Sequence, residues 1–157
     1  MVPAGVESVP GVTATVYQVA ETLSEEILTK MHAAPKKDLP VATAETLKQA
    51  DAILFGFPTR FGAFPAQVKA LFDLCGGLWA KGELVAVAFL AHQGMTFVPL
   101  GFRAPEMFNV EEVHGGSPWG AGAIAGGDGS RQVSKSEKAI ATTQGKSFAE
   151  IAKKLTA

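Results

Sequence analysis

Cysteine is almost absent from this chain: among 157 residues only Cys75 carries a thiol. A single cysteine excludes an internal disulfide and fits a reducing compartment. Charge of either sign is also sparse, at 18% of residues with a net charge of -1, so there is no basic surface to hold nucleic acid or an anionic membrane face. Long hydrophobic runs are missing too. The longest, residues 84–91, is far shorter than the ~20 residues that span a bilayer. Met1-Val-Pro-Ala-Gly-Val-Glu7 has neither the basic start nor the apolar run of a signal peptide. His32, His92, His114 and Cys75 are scattered without metal-ligand spacing, so no metal site is expected. These absences point to a soluble, cytoplasmic protein whose partner is a small molecule or another subunit.

What is present is a composition 47% hydrophobic over a length suited to a single domain, residues 1–157, with a real core. Its centre is Ala52-Ile-Leu-Phe55, a continuous apolar run bounded by Gly56 and Pro58, as a strand buried on both faces would be. After that strand, Val68, Leu71, Phe72 and Cys75 repeat at helical spacing, with Pro65 suited to the first turn and Gly76-Gly77 to the stop. Before it, residues 1–11 read as a ragged start and Val12 to Val19 as an edge strand. Thr22-Leu-Ser-Glu25 reads as a capping box opening a helix that ends before Pro35, and Thr43 as the cap of a helical turn through Leu47. Beyond it, Leu84 to Leu90 is an ambiguous apolar run and Met95 to Phe102 a strand. Residues 103–133 read as a long ordered Gly-rich loop carrying Met107, Phe108, Trp119 and Ile124. Ser134-Lys-Ser-Glu137 then caps a terminal helix with Ile140, Phe148, Ile151 and Leu155 facing the core. Strands alternating with helices predict an α/β three-layer sandwich, although three clear strands and one doubtful one are few for a sheet covered on both faces.

Loops at the carboxyl ends of central parallel strands are where such folds bind ligands. Pro58-Thr59-Arg60-Phe61-Gly62 can line a planar cofactor, with amides and the Thr hydroxyl as hydrogen-bond donors, Arg as positive charge and Phe as a flat wall; it can equally be a tight connection with an exposed Arg. Trp79, after Gly76-Gly77-Leu78, is either an indole over a substrate ring or a core anchor. His92 is either a donor near neutral pH or a helix end. Gly126-Gly-Asp-Gly-Ser-Arg131 can cradle an anion with its amides, but no strand leads into it and a structural turn fits it better.

Several blocks taken in order carry a resemblance: Phe55-Gly-Phe-Pro-Thr-Arg-Phe-Gly62, Gly76-Gly-Leu-Trp79, Leu90-Ala-His-Gln-Gly-Met95, Val98-Pro-Leu-Gly101, His114-Gly-Gly-Ser-Pro-Trp-Gly120 and Ile124-Ala-Gly-Gly-Asp-Gly-Ser-Arg131. Together they resemble the WrbA-type NAD(P)H:quinone oxidoreductases, a flavodoxin-like family. The resemblance implies an FMN cofactor, NADH or NADPH as hydride donor, two-electron reduction of a quinone and assembly as a tetramer. It implies that Thr59, Arg60, Phe61 and His92 contact the flavin and that Trp79 lines the quinone pocket. Two parts of the family pattern have no match here: the first strand with its phosphate-binding loop, and a strand with its glycine-rich loop, on the order of twenty residues, after Leu84. The expected fold is therefore a flavodoxin-like sandwich with an incomplete parallel sheet: either Leu84 to Leu90 is recruited as a replacement strand at the expense of a helix, or the sheet is gapped and its central strand shows unpaired edges or exposed apolar faces. The alternative function is a catalytically impaired interaction subunit, in homo-oligomers or in mixed oligomers with full-length relatives, or a truncated product.

Overall fold

Side-chain caps open three of the described α-helices. The computed structural model describes residues 1–59, 62–79 and 96–156, and the side chains of Leu78 and Trp79 are not among the described ones. The chain divides into two compact units, one of residues 1–15 with 98–157 and one of residues 16–97.

In the first unit, helix α1 (Val2–Glu7) occupies the start that composition suggested would be ragged. Pro3 suits a first helical turn, where its missing N–H costs nothing, and Val6 and Val9 are buried. The principal helix of this unit, which we label α6 (Lys135–Leu155), opens on the expected capping box: Ser134 accepts from the Glu137 N–H and Glu137 accepts from the Ser134 N–H. Its buried face runs through Glu137, Ile140, Gly145 and Ala149, so the lower part of the predicted stripe shifts by one position and Leu155 is exposed. The shift has a steric cause at the crossing with α1. A Cβ on Gly5 would overlap the Thr142 carbonyl, and one on Gly145 would overlap the Val2 carbonyl, so the two backbones meet without side chains between them. Lys153 Nζ closes the same contact by donating to the Pro10 carbonyl at 2.5 Å. A small core of Leu100, Ala104 and Ile140, with Met107 and Ala121 against it, forms around the first half of α6.

In the second unit, α2 (Glu25–Lys30) is capped by Ser24, not Thr22. The difference is a competition: Glu21 Oε1 takes the Thr22 and Leu23 N–H groups at 2.7 and 2.9 Å, together with Gln67 Nε2 at 2.9 Å, which fixes the chain before it can turn into a helix. That hydrogen bond from Gln67, and then the two backbone N–H groups, draw the Glu21 carboxyl below its ordinary pKa. Thr43 caps α3 (Ala44–Lys48) as expected, in a reciprocal pair with Thr46. Helix α4 (Ala66–Asp73) follows Pro65 and buries Val68 and Leu71, and the chain re-enters a short helix α5 (Gly76–Trp79) where Gly76-Gly77 had suggested a stop. The core of this unit is Ala42, Leu47, Leu71 and Cys75, with Val19, Ile53 and Phe55 packed against it.

Strand pairing is sparse. In this unit a parallel bridge joins Gln18 to Val41, with Gln18 N–H donating to Pro40 at 2.9 Å and Ala42 N–H to Gln18 at 2.8 Å. The predicted edge strand Val12 to Val19 is thus paired only at Gln18, and residues 96–100 carry no bridge. The central segment, residues 53–59, carries no bridge. The apolar run Leu84 to Leu90 lies outside the described residues.

Candidate functional site

The central segment anchors one of its faces and leaves its carboxyl end open. Ile53 and Phe55 lie against the core. Phe55 meets the Phe72 ring edge-to-face at 5.2 Å, Phe64 meets Phe72 at 5.7 Å, and Phe57 meets Phe64 at 6.0 Å. This chain of perpendicular rings stiffens the segment from Phe55 to the loop, each contact adding about 1 kcal/mol beyond simple burial. Beyond it Gly56, Phe57, Pro58 and Thr59 are exposed, and among the described residues a Cβ on Gly56 or Gly62 would meet nothing within 4 Å. Gly62 turns with φ +78°, a left-handed conformation that glycine adopts without strain. Thr59 is thus exposed at the carboxyl end of the ring-braced segment. Arg60, Phe61 and His92 lie outside the described residues. Trp79 ends α5 within the unit that also contains Thr59, and its side chain is not described.

The Gly-rich loop of the other unit is organised by a pair that sequence reading did not single out. Glu137, whose side chain is fully buried, accepts from Gly115 N–H at 2.9 Å, Ile124 N–H at 3.1 Å, Ser134 N–H at 2.8 Å and Arg131 Nη1 at 3.0 Å. Arg131 in turn donates to the Ile124 and Val113 carbonyls at 2.7 and 3.1 Å. Burial alone would push the Glu137 carboxyl up, but the Arg131 guanidinium and then the Gly115, Ser134 and Ile124 N–H groups outweigh it and hold the pKa at about 2. The clamp gathers residues 113–124 into a tight hairpin, closed by reciprocal bonds between Ser117 and Gly120 at 2.9 and 3.0 Å. Within it a Cβ on Gly115 would collide with the Gly122 and Ala123 backbone, and Gly116 sits at φ +103°.

The aromatic residues of this loop are not its anchors. Met107 packs on the core, but Phe108 is 65% exposed and stacks on the exposed Phe102, while Trp119 at the hairpin tip is 76% exposed. His114 bridges locally, its ring nitrogens reaching the Gly115 and Asn109 carbonyls at 2.9 and 3.1 Å. Gly126 to Ser130 forms a turn, with Gly129 N–H on the Gly126 carbonyl at 3.0 Å and both the N–H and the hydroxyl of Ser130 on Asp128 Oδ1. Among the described residues no cluster of His, Cys, Asp and Glu is placed to hold a metal, and no helix is long and apolar enough to cross a membrane.

Comparison with known proteins adds a family. The model of the family described as NADPH-dependent FMN reductase matches residues 2–98. NAD(P)H quinone oxidoreductase PST1 of Candida albicans is 52% identical over 168 aligned residues, covering 92% of this chain and 84% of the relative. Protoplast secreted protein 2 of Saccharomyces cerevisiae is 50% identical, with 93% and 85% covered, and quinone-oxidoreductase QR2 of Triphysaria versicolor is 45% identical, with 96% and 85% covered. Such a family implies a flavodoxin-like α/β fold, FMN as cofactor and NAD(P)H as reductant. By the match across residues 2–98 and by identity to relatives along nearly its whole length, this chain belongs to the NADPH-dependent FMN reductase family.

Proposed function

We propose that the chain is an FMN-dependent NAD(P)H:quinone oxidoreductase of the WrbA type, built on a flavodoxin-like sandwich with an incomplete parallel sheet. The observation that carries this reading is 52% identity, over 92% of the chain, to a relative named as an NAD(P)H quinone oxidoreductase. The chemistry supplied by FMN, when bound, is acceptance of hydride from NADH or NADPH and delivery of two electrons to the quinone.

The chain's own residues meet the ring end of that cofactor well. Gly56, Phe57 and Thr59 offer backbone N–H groups that no described residue engages, and Thr59 adds a hydroxyl in the open. Arg60 supplies the positive charge that favours a reduced, anionic ring, Phe61 supplies a flat wall and His92 a further hydrogen-bond donor. Trp79 lines the pocket for the quinone ring. The phosphate end fits less well. In Gly126 to Ser130 the Gly129 and Ser130 N–H groups are spent internally. The Ser130 N–H and hydroxyl also hold the Asp128 carboxyl below its ordinary pKa, so a negative charge stands where a phosphate would need donors.

That weakness supports a second reading, an impaired family member that serves as an interaction subunit. The 168 positions aligned with the Candida relative exceed the 92% of 157 residues they cover by about two dozen, so the relative has that many positions without a counterpart here. Assembly as a tetramer, or with full-length relatives, and a cytoplasmic location belong to the same proposal.

Titrating FMN into the purified chain, followed by quenching of flavin fluorescence and by quinone-dependent NAD(P)H oxidation, separates the two. Saturable quenching with turnover supports the oxidoreductase. A folded chain, judged by circular dichroism, that neither quenches FMN nor turns over overturns it in favour of the interaction subunit.

A further inference from the structure

Of the aspartates Asp38, Asp51, Asp73 and Asp128, only Asp128 is followed by glycine. That pairing allows the backbone to rearrange by itself: the Gly129 nitrogen attacks the Asp128 side-chain carboxyl carbon, water leaves, and a succinimide ring forms. Water then opens the ring at either carbonyl. Opening at the former main-chain carbonyl leaves an isoaspartyl link, with no net change in atoms or electrons and with the main chain routed through Cβ and Cγ. Glycine favours the attack because it has no Cβ to shield its nitrogen, and both residues are exposed to solvent. The turn opposes the attack at both reacting atoms. Asp128 Oδ1 accepts the Ser130 N–H at 3.1 Å and the Ser130 hydroxyl at 2.8 Å, which favours the carboxylate over the acid that can lose its oxygen as water. Gly129 N–H donates to the Gly126 carbonyl at 3.0 Å, so its nitrogen is committed to closing the turn, with Gly129 itself at φ +74°.

We propose that Asp128-Gly129 is a site of spontaneous isoaspartate formation that the Ser130 turn holds back in the folded chain, and that the change, once made, releases the Arg131 clamp. Arg131 follows directly on this turn, and from there its guanidinium reaches the buried Glu137 carboxylate and the Ile124 and Val113 carbonyls. Space inside the turn is tight: a Cβ on Gly126 would stand 3.1 Å from Asp128 Oδ1 and 3.3 Å from Arg131 Cβ. An additional main-chain atom between Asp128 and Gly129 breaks the closure from Gly129 to Gly126 and shifts Arg131 with it. The carboxylate also leaves the position in which Ser130 binds it, so the bonds that delayed the reaction do not re-form after it.

The test incubates the full chain at neutral pH, folded and unfolded in guanidinium chloride, beside folded Ser130→Ala and Ser130→Thr. Isoaspartate at residue 128 is followed by digestion, chromatography and fragment mass spectrometry. It is expected to accumulate at least about ten-fold faster in the unfolded chain than in the folded one. Folded Ser130→Ala, which removes one donor to the carboxylate, is expected to react about five-fold faster than the unsubstituted chain, and Ser130→Thr, which keeps the hydroxyl, at the same rate. Equal rates folded and unfolded, no isoaspartate at residue 128 even in the unfolded chain, or no acceleration in a Ser130→Ala chain with unchanged circular dichroism would each overturn the proposal. If Ser130→Ala does not fold, the comparison of folded with unfolded unsubstituted chain decides. Release of the clamp is read on aged protein returned to native buffer. Brief proteolysis in moderate urea is expected to cut isomerised chains first, and equal isoaspartate content in cut and uncut chains would overturn the link to Arg131.

Discussion

Replacing Glu137 by glutamine tests whether one buried carboxylate holds the 113–124 hairpin to α6. The carboxyl is held at about 2 against an ordinary 4.5, which at 1.36 kcal/mol for each tenfold change in acidity is at most about 3 kcal/mol of stability at neutral pH. Its cationic partner Arg131 is 27% exposed, so water screens part of the attraction, and about 2 kcal/mol is the working figure. Glutamine keeps one accepting oxygen, but its amide nitrogen faces the Arg131 donor and the Ser134 N–H with nothing to accept them. A loss of about 2 kcal/mol corresponds to a fall in Tm of roughly 4–8 °C for a chain of this size. The sign with pH follows from the depressed value: the contribution is complete above about 4.5 and disappears as pH falls through about 2. Urea unfolding followed by circular dichroism, for both proteins at neutral pH and down an acid series, reads the difference. Equal stability at neutral pH, or a gap that persists undiminished to pH 2, would refute the carboxylate as the source.

Three further outcomes are expected. Gly145→Ala drives a methyl into the Val2 carbonyl and should cost about 1–3 kcal/mol or displace α1, visible as lost thermal stability, whereas Gly127→Ala, with open space around it, should not. Arg60→Ala should lower flavin affinity or reduction rate in the titration above; unchanged values would remove Arg60 from the site. Cys75 is buried, which pushes its thiol pKa up, so it should react slowly with a thiol reagent in the folded protein and rapidly after denaturation.

Features specified by neighbours in sequence were legible, and those specified at a distance were not. Thr43 and Ser134 were readable as caps because a cap is a contact over three residues. Thr22 misled because the competing acceptor, Glu21, acts through its tie to Gln67, remote in sequence. Glu137 was visible as half of a capping box, but its tie to Arg131 and to the Gly115 and Ile124 amides obeys no local spacing rule. Phe108 and Trp119 looked like anchors because aromatics usually are, whereas the loop takes its order from a buried carboxylate. Of the candidate site, the exposure of Thr59 after the apolar segment followed from the Gly and Pro residues around it. Nothing in the sequence signalled how the Phe55, Phe72, Phe64 and Phe57 rings would brace that segment.

The glycine-on-glycine crossing of α1 and α6 also sets the order in which the chain can be built. Residues 2–7 find their partner only when residues 142–145 exist, so the unit they share cannot close on a ribosome until nearly all of the described sequence has been made. Closing the loop formed by residues 16–97 costs roughly 4 kcal/mol of chain entropy. During synthesis the second unit, whose contacts lie within residues 16–97, is free to organise first, and the opening helix must wait with Val6 and Val9 uncovered.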